Sequence, residues 1–142
     1  MNNKGFVTFF NLILLFVVSF TIIYSSLWEF SNSKFNMNRF IEMEAMFNCE
    51  YKLDSFFTQY EKNGLPNKIP YSSGSYYILY YEEDDEYVVF SYNAFMIYDL
   101  YWVKAIFFKI DNSKLIITDR RVLYCDESTF QGYKSGQIKI PK

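Results

Sequence analysis

The stretch that decides the fold is KGFVTFFNLILLFVVSFTIIYSSLW, residues Lys4 to Trp28. After the polar leader Met1 to Gly5, the 23 residues from Phe6 to Trp28 carry no charge and are mostly apolar. At the helical rise they extend about 34 Å, enough to cross a hydrocarbon core of about 30 Å. The run reads as a transmembrane helix. A removable secretory signal has a shorter apolar stretch and a small-x-small exit. Here the only candidate exit is Tyr24-Ser25-Ser26, which puts a bulky ring where a small residue is needed. The short leader holds Lys4 and the terminal amine, so its expected side is the cytoplasm, with the rest of the chain facing outward across the cell membrane.

Composition narrows the function. The 142 residues are 51% hydrophobic and 23% aromatic, which leaves material for one small domain beyond the span. A net charge of -2 offers no basic field for nucleic acid. Histidine, the commonest general base and a common zinc ligand, is absent from the sequence. No Gly-rich phosphate loop or catalytic spacing replaces it, so the expectation is a protein without enzymatic activity, cofactor or metal.

Beyond Trp28 a helical rhythm returns. Met46, Cys49, Leu53, Phe56 and Tyr60 form one stripe, with Phe40, Met43 and Phe47 on a neighbouring one, so residues 29–62 are expected to continue the helix. The poor helix formers at Ser31-Asn32-Ser33 and Asn36-Met37-Asn38 suggest a loosening or break between Glu29 and Phe40. Gly64 and Pro66 end the helix.

Residues 70–142 then read as an antiparallel β domain. Ser75 to Tyr81 and Tyr87 to Tyr92 flank the polar turn Glu82 to Glu86, and Tyr101 to Ile110 and Leu115 to Thr118 flank a second turn at Asp111 to Lys114. Val122 to Cys125 and Gln137 to Ile140 are each expected as short edge strands. The fold class is α+β: a long N-terminal helix against four to six antiparallel strands, with the sheet's other face toward water.

A Lys-Gly-Phe seam set directly against a span, an amphipathic continuation and a sheet together resemble the type IV pilin superfamily. The stretch Glu44 to Tyr51 is similar in layout to PilX-type minor pilins. The resemblance implies that a prepilin peptidase cuts between Gly5 and Phe6 and methylates the new terminus, and that the partners are the membrane and other pilin-like subunits. It departs from the family at the fifth mature position, where Phe10 stands in place of the usual glutamate. That carboxylate neutralises a neighbour's terminal ammonium within the bilayer, so its loss resembles minor pseudopilins at the filament tip in secretion and competence systems. The other reading is a single-pass membrane protein with an outer binding domain.

Three features stay open on sequence alone. Cys49 and Cys125 either form a disulfide that staples sheet to helix or lie as two buried thiols. The acidic turn Glu82 to Glu86 reads as a calcium loop or, better, as a solvated hairpin tip, because it lacks the alternating acidic geometry of a cage. The tyrosines at 76, 77, 80 and 81 suit glycan binding or a half-buried strand.

Overall fold

A computed structural model describes residues 3–95 and 99–142. In chain order it contains α1 (Asn3–Asn63), β1 (Tyr71–Ser72), β2 (Tyr77–Tyr81), β3 (Glu86–Phe95), β4 (Leu100–Asp111), β5 (Lys114–Asp126) and α2 (Glu127–Ser135). The chain divides into two compact units, Met1–Glu42 and Met43–Lys142. The second holds the C-terminal turns of α1 together with the sheet and α2, an α+β arrangement.

The helix expected to continue over residues 29–62 does so without the loosening that the Ser/Asn stretches allowed between Glu29 and Phe40, since α1 passes through both as helix. Ser and Asn cost at most about 0.7 kcal/mol each in a helix, whereas ending and restarting one repeats an unfavourable nucleation. Continuity wins. The end at Gly64 stands: its φ is 70°, and its N–H donates to the Tyr60 carbonyl at 2.8 Å. Glycine accepts that left-handed conformation without a Cβ clash.

The five strands form an antiparallel meander in the order β1 to β5. The turn between β4 and β5 is the one read from Asp111 to Lys114, with Asn112 and Ser113 at φ 49° and 65°. Such paired left-handed residues match the twist of a tight hairpin. Leu115 to Thr118 and Val122 to Cys125 are one strand rather than two, because β5 runs unbroken through Asp119-Arg120-Arg121. As the last strand of the sheet it can carry those polar side chains toward solvent, and a register irregularity opposite Phe107 and Phe108 absorbs the extra residue.

The expected edge strand at Gln137 to Ile140 does not form. Instead Ile140 is buried and its N–H donates to the Tyr81 hydroxyl at 3.0 Å, so this segment lies over the sheet rather than extending it. The preceding helix α2 begins at Asp126, whose carboxylate accepts from Thr129 N at 2.8 Å, and ends at Gly136 with φ 72°. Those Thr129 hydrogen bonds hold the Asp126 carboxyl below the usual carboxylate range.

The face expected to meet water is therefore covered. On one side Leu53 and Phe56 of α1 pack against Ile78, Val89, Ile106 and Phe108. On the other, Phe130 and Tyr133 of α2 and Ile140 pack against Leu79, Val88, Phe90, Val103 and Phe107. The sequence reason is the uninterrupted apolar character of Val88-Val89-Phe90 and Ile106-Phe107-Phe108, which supplies side chains to both faces, as in sheets buried on two sides.

Candidate functional site

The N-terminal unit presents an apolar surface along its whole run. Every large hydrophobic side chain from Phe6 to Trp28 is exposed, from 45% at Ile13 to 71% at Phe16. Two hydroxyls within it turn back on their own helix, Ser19 Oγ donating to the Leu15 carbonyl and Thr21 Oγ1 to the Val17 carbonyl, both at 2.8 Å. These two hydroxyls are thus satisfied without water, as suits a lipid environment. The helix is long and apolar enough to cross a membrane.

Gly5 and Phe6 lie within the first turns of α1, with open space where a Cβ at Gly5 would stand and with Phe6 61% exposed. Phe10, one turn further, is also exposed. Met1 and Asn2 of the expected leader lie outside the described residues.

In the C-terminal unit, α1 has two apolar faces. Ala45, Cys49, Leu53 and Phe56 are buried at four- and three-residue spacing, with Tyr60 half-buried beyond them. The stripe follows expectation at Cys49, Leu53, Phe56 and Tyr60 and differs at its first position, where Ala45 takes the inward place given to Met46, which remains exposed. Rotation of the helix is fixed by three contacts. Ser91 Oγ donates to the Cys49 carbonyl at 3.0 Å, Lys104 pairs with Glu50, and Lys52 Nζ donates to the Tyr92 carbonyl at 2.9 Å.

Phe47 stands two residues from both Ala45 and Cys49, and two residues is slightly more than half a helical turn. Phe47 therefore points away from the sheet. It is 59% exposed, and Met43 and Tyr51, one turn to either side, are 52% and 78% exposed. Tyr51 extends the stripe beyond the residues singled out from sequence, and its place four residues after Phe47 was the signal available.

The two cysteines are free and are kept apart by the sheet. Cys125 pairs with Tyr101, on the face of Val103 and Phe107 that α2 covers, while Cys49 sits on α1 beside Ser91 on the opposite face. Burial pushes both thiols up, Cys125 to about 11 with the Asp126 charge contributing. Reaction with iodoacetamide at pH 8 should accordingly be slow in the folded protein and become complete on denaturation. Fast labelling of both thiols in native protein, read by mass spectrometry, would contradict this placement. The same shift gives a pH dependence: an unfolded thiol ionises near pH 9 while folded Cys125 holds its proton to about 11, so stability falls as pH rises through that window.

The acidic turn is an exposed hairpin tip at residues 82–85, with Glu86 buried beneath it and surface ion pairs around it. Lys139 Nζ lies 2.7 Å from Glu83 Oε2 and 2.9 Å from Asp84 Oδ2, Lys109 Nζ donates to the Asp84 carbonyl at 2.9 Å, and Lys142 and Thr118 engage the buried Glu86. Lys139 holds the Asp84 carboxyl below its ordinary range. Among the described residues no three acidic, Cys or His side chains converge as a metal site.

The tyrosine cluster divides by face. Tyr76 and Tyr81 are buried, Tyr77 is half-buried and stacks on Phe90, and Tyr80 is exposed with its hydroxyl donating to Asp85 Oδ1 at 2.7 Å.

Comparison with protein-family models, curated proteins and solved structures finds no match for this chain.

Proposed function

We propose that the protein is a minor pilin-like or pseudopilin subunit, inserted by α1 with its N-terminus in the cytoplasm and its α+β unit outside, and recruited into a filament through α1. The observation that carries this reading is the apolar face at Met43, Phe47 and Tyr51, on the side of the helix turned from the sheet. A helix that needed only an anchor and a domain has no use for it. A subunit that packs its helix among other helices does, because an exposed apolar stripe gains by burial against a like surface. The lipid-facing run from Phe6 to Trp28 then exchanges acyl chains for neighbouring helices, and assembly rather than chemistry is the activity.

The Lys4-Gly5-Phe6 seam supports processing by a prepilin peptidase, and Phe10 supports a place at the tip of a type IV pilus, competence pilus or type II secretion pseudopilus. Co-expression with such a peptidase should remove five residues and leave an N-methylated Phe6 in a chain of 137 residues, since 142 less 5 is 137. Intact mass spectrometry reads the outcome. A chain still carrying Met1 in its own host would remove the pilin reading and leave a single-pass membrane protein with an extracytoplasmic α+β binding domain.

A further inference from the structure

At the C-terminal end of α1 the chain turns through Gly64-Leu65-Pro66 and returns as β1, leaving a cleft of about 230 Å³ between them. Phe56 and Tyr76 form its floor, Tyr60 and Tyr71 its partly exposed walls, and Gln59 and Asn63 its rim. All of these belong to the C-terminal unit.

The rings brace one another. Phe56 meets Tyr76 edge-on at 5.4 Å, and Tyr71 lies 6.2 Å from Tyr76. Core packing therefore sets the floor, and a ligand need not order it, which reduces the cost of binding.

The polar rim is also positioned. Tyr76 Oη donates to Gln59 Oε1 at 2.7 Å. That bond orients the amide and directs the Gln59 Nε2 hydrogens elsewhere, while the Asn63 side chain supplies a second donor and acceptor. Among the described residues none that lines the cleft is charged. The carbonyl end of a helix adds a weak negative potential, which disfavours phosphate and carboxylate ligands.

From this geometry we infer that the cleft is a binding site for one ring of a neutral saccharide. A pyranose has an apolar C–H face to lay on Tyr71 or Tyr60 and hydroxyls at its edge to exchange hydrogen bonds with Gln59 and Asn63. The volume equals that of roughly seven or eight liquid waters, room for a single ring rather than a longer chain segment. Contact on one face of so small a ligand gives weak binding, with Kd on the order of 1 mM. The site is independent of assembly through α1, which uses the opposite side of the helix.

Saturation-transfer NMR suits weak binding to a large particle. The full chain is placed in nanodiscs of phosphatidylglycerol, free of sugar and choline headgroups, and titrated with glucose, galactose and N-acetylglucosamine, each as free sugar and as methyl glycoside. The expected result is transfer to the ring C–H protons of at least one sugar. Tyr71→Ala should weaken it roughly 10-fold or more, the scale of one lost aromatic contact together with its buried area. Tyr71→Phe should retain most of it, because the ring remains, and Asn63→Ala should weaken it with circular dichroism unchanged. Retention by the methyl glycosides would point to the end of a glycan chain as the source, and loss would point to free sugar. No transfer from any sugar at about 50-fold the expected Kd, or transfer unchanged in both Tyr71→Ala and Asn63→Ala, overturns the proposal. Transfer to choline chloride in place of the sugars overturns it too, by assigning the rings to an organic cation.

Discussion

Phe56→Ala is expected to lower the stability of the helix–sheet unit by about 3–5 kcal/mol, the usual cost of emptying a well-packed phenylalanine site. Phe56 is 1% exposed, and its ring lies 5.2 Å from Phe57, 5.4 Å from Tyr76 and 5.6 Å from Phe108. It is where α1 keys into the sheet. Its removal loses transfer energy and aromatic contacts together, and the surrounding rings, held by both helix and strands, can close only part of the void. A whole domain has about 5–15 kcal/mol of stability, so the variant approaches the threshold of folding. Phe47→Ala, about two and a half turns toward the N-terminus on the outward face, should change stability by no more than about 0.5 kcal/mol. Urea unfolding of the full chain in nanodiscs, followed by near-ultraviolet circular dichroism, makes the comparison. Equal losses from the two substitutions would show that the inward and outward faces of α1 have been confused.

The second large effect concerns the span. Phe16→Arg combined with Val17→Arg places two cations at the centre of the apolar run, each costing about 2.5–3.5 kcal/mol on insertion scales. The pair should shift insertion by about 5–7 kcal/mol, more than 1,000-fold if the run alone decides it. Both side chains are more than half exposed, at 71% and 55%, so no protein contact shelters the new charges. After alkaline extraction of membranes, the parent should remain in the pellet and the double variant should appear in the supernatant. Retention of the double variant would indicate that some other segment holds the protein at the membrane.

Much of the architecture could be read from residue order because its signals are local. The uncharged run from Phe6 to Trp28, the glycine at position 64 and the Asn112-Ser113 turn each determine their own conformation within a few residues. What escaped depended on tertiary context. The short helix α2 carries a recognisable cap at Asp126 and a terminating Gly136, but its apolar residues are few, and only the second apolar face of the sheet explains why Phe130 and Tyr133 fold back onto it. The joining of β5 through Asp119 to Arg121 likewise follows from its place at the sheet margin, which spacing along the chain does not encode. For the site, the stripe at Phe40, Met43 and Phe47 was visible as a pattern, but its direction was not. The inward stripe was legible at Cys49, Leu53 and Phe56, and only its first position, Ala45 rather than Met46, was misassigned. The cleft at Tyr71 joins residues from a helix end and a strand that periodicity treats separately.

Ala45 has a further consequence. It is fully buried and is the smallest side chain on the inward stripe, so a larger one there has no free space to enter, just where Phe47 emerges on the far side. It acts as a depth gauge. A valine or leucine there would still be apolar and would still fold, but it would lift that turn of the helix and carry Met43 and Phe47 outward with it. Such a substitution would look conservative by hydrophobicity and modest by stability, yet it would alter the shape that neighbouring helices meet. Variation at this inward position should therefore be limited by what binds the outside of the helix as much as by the core it fills.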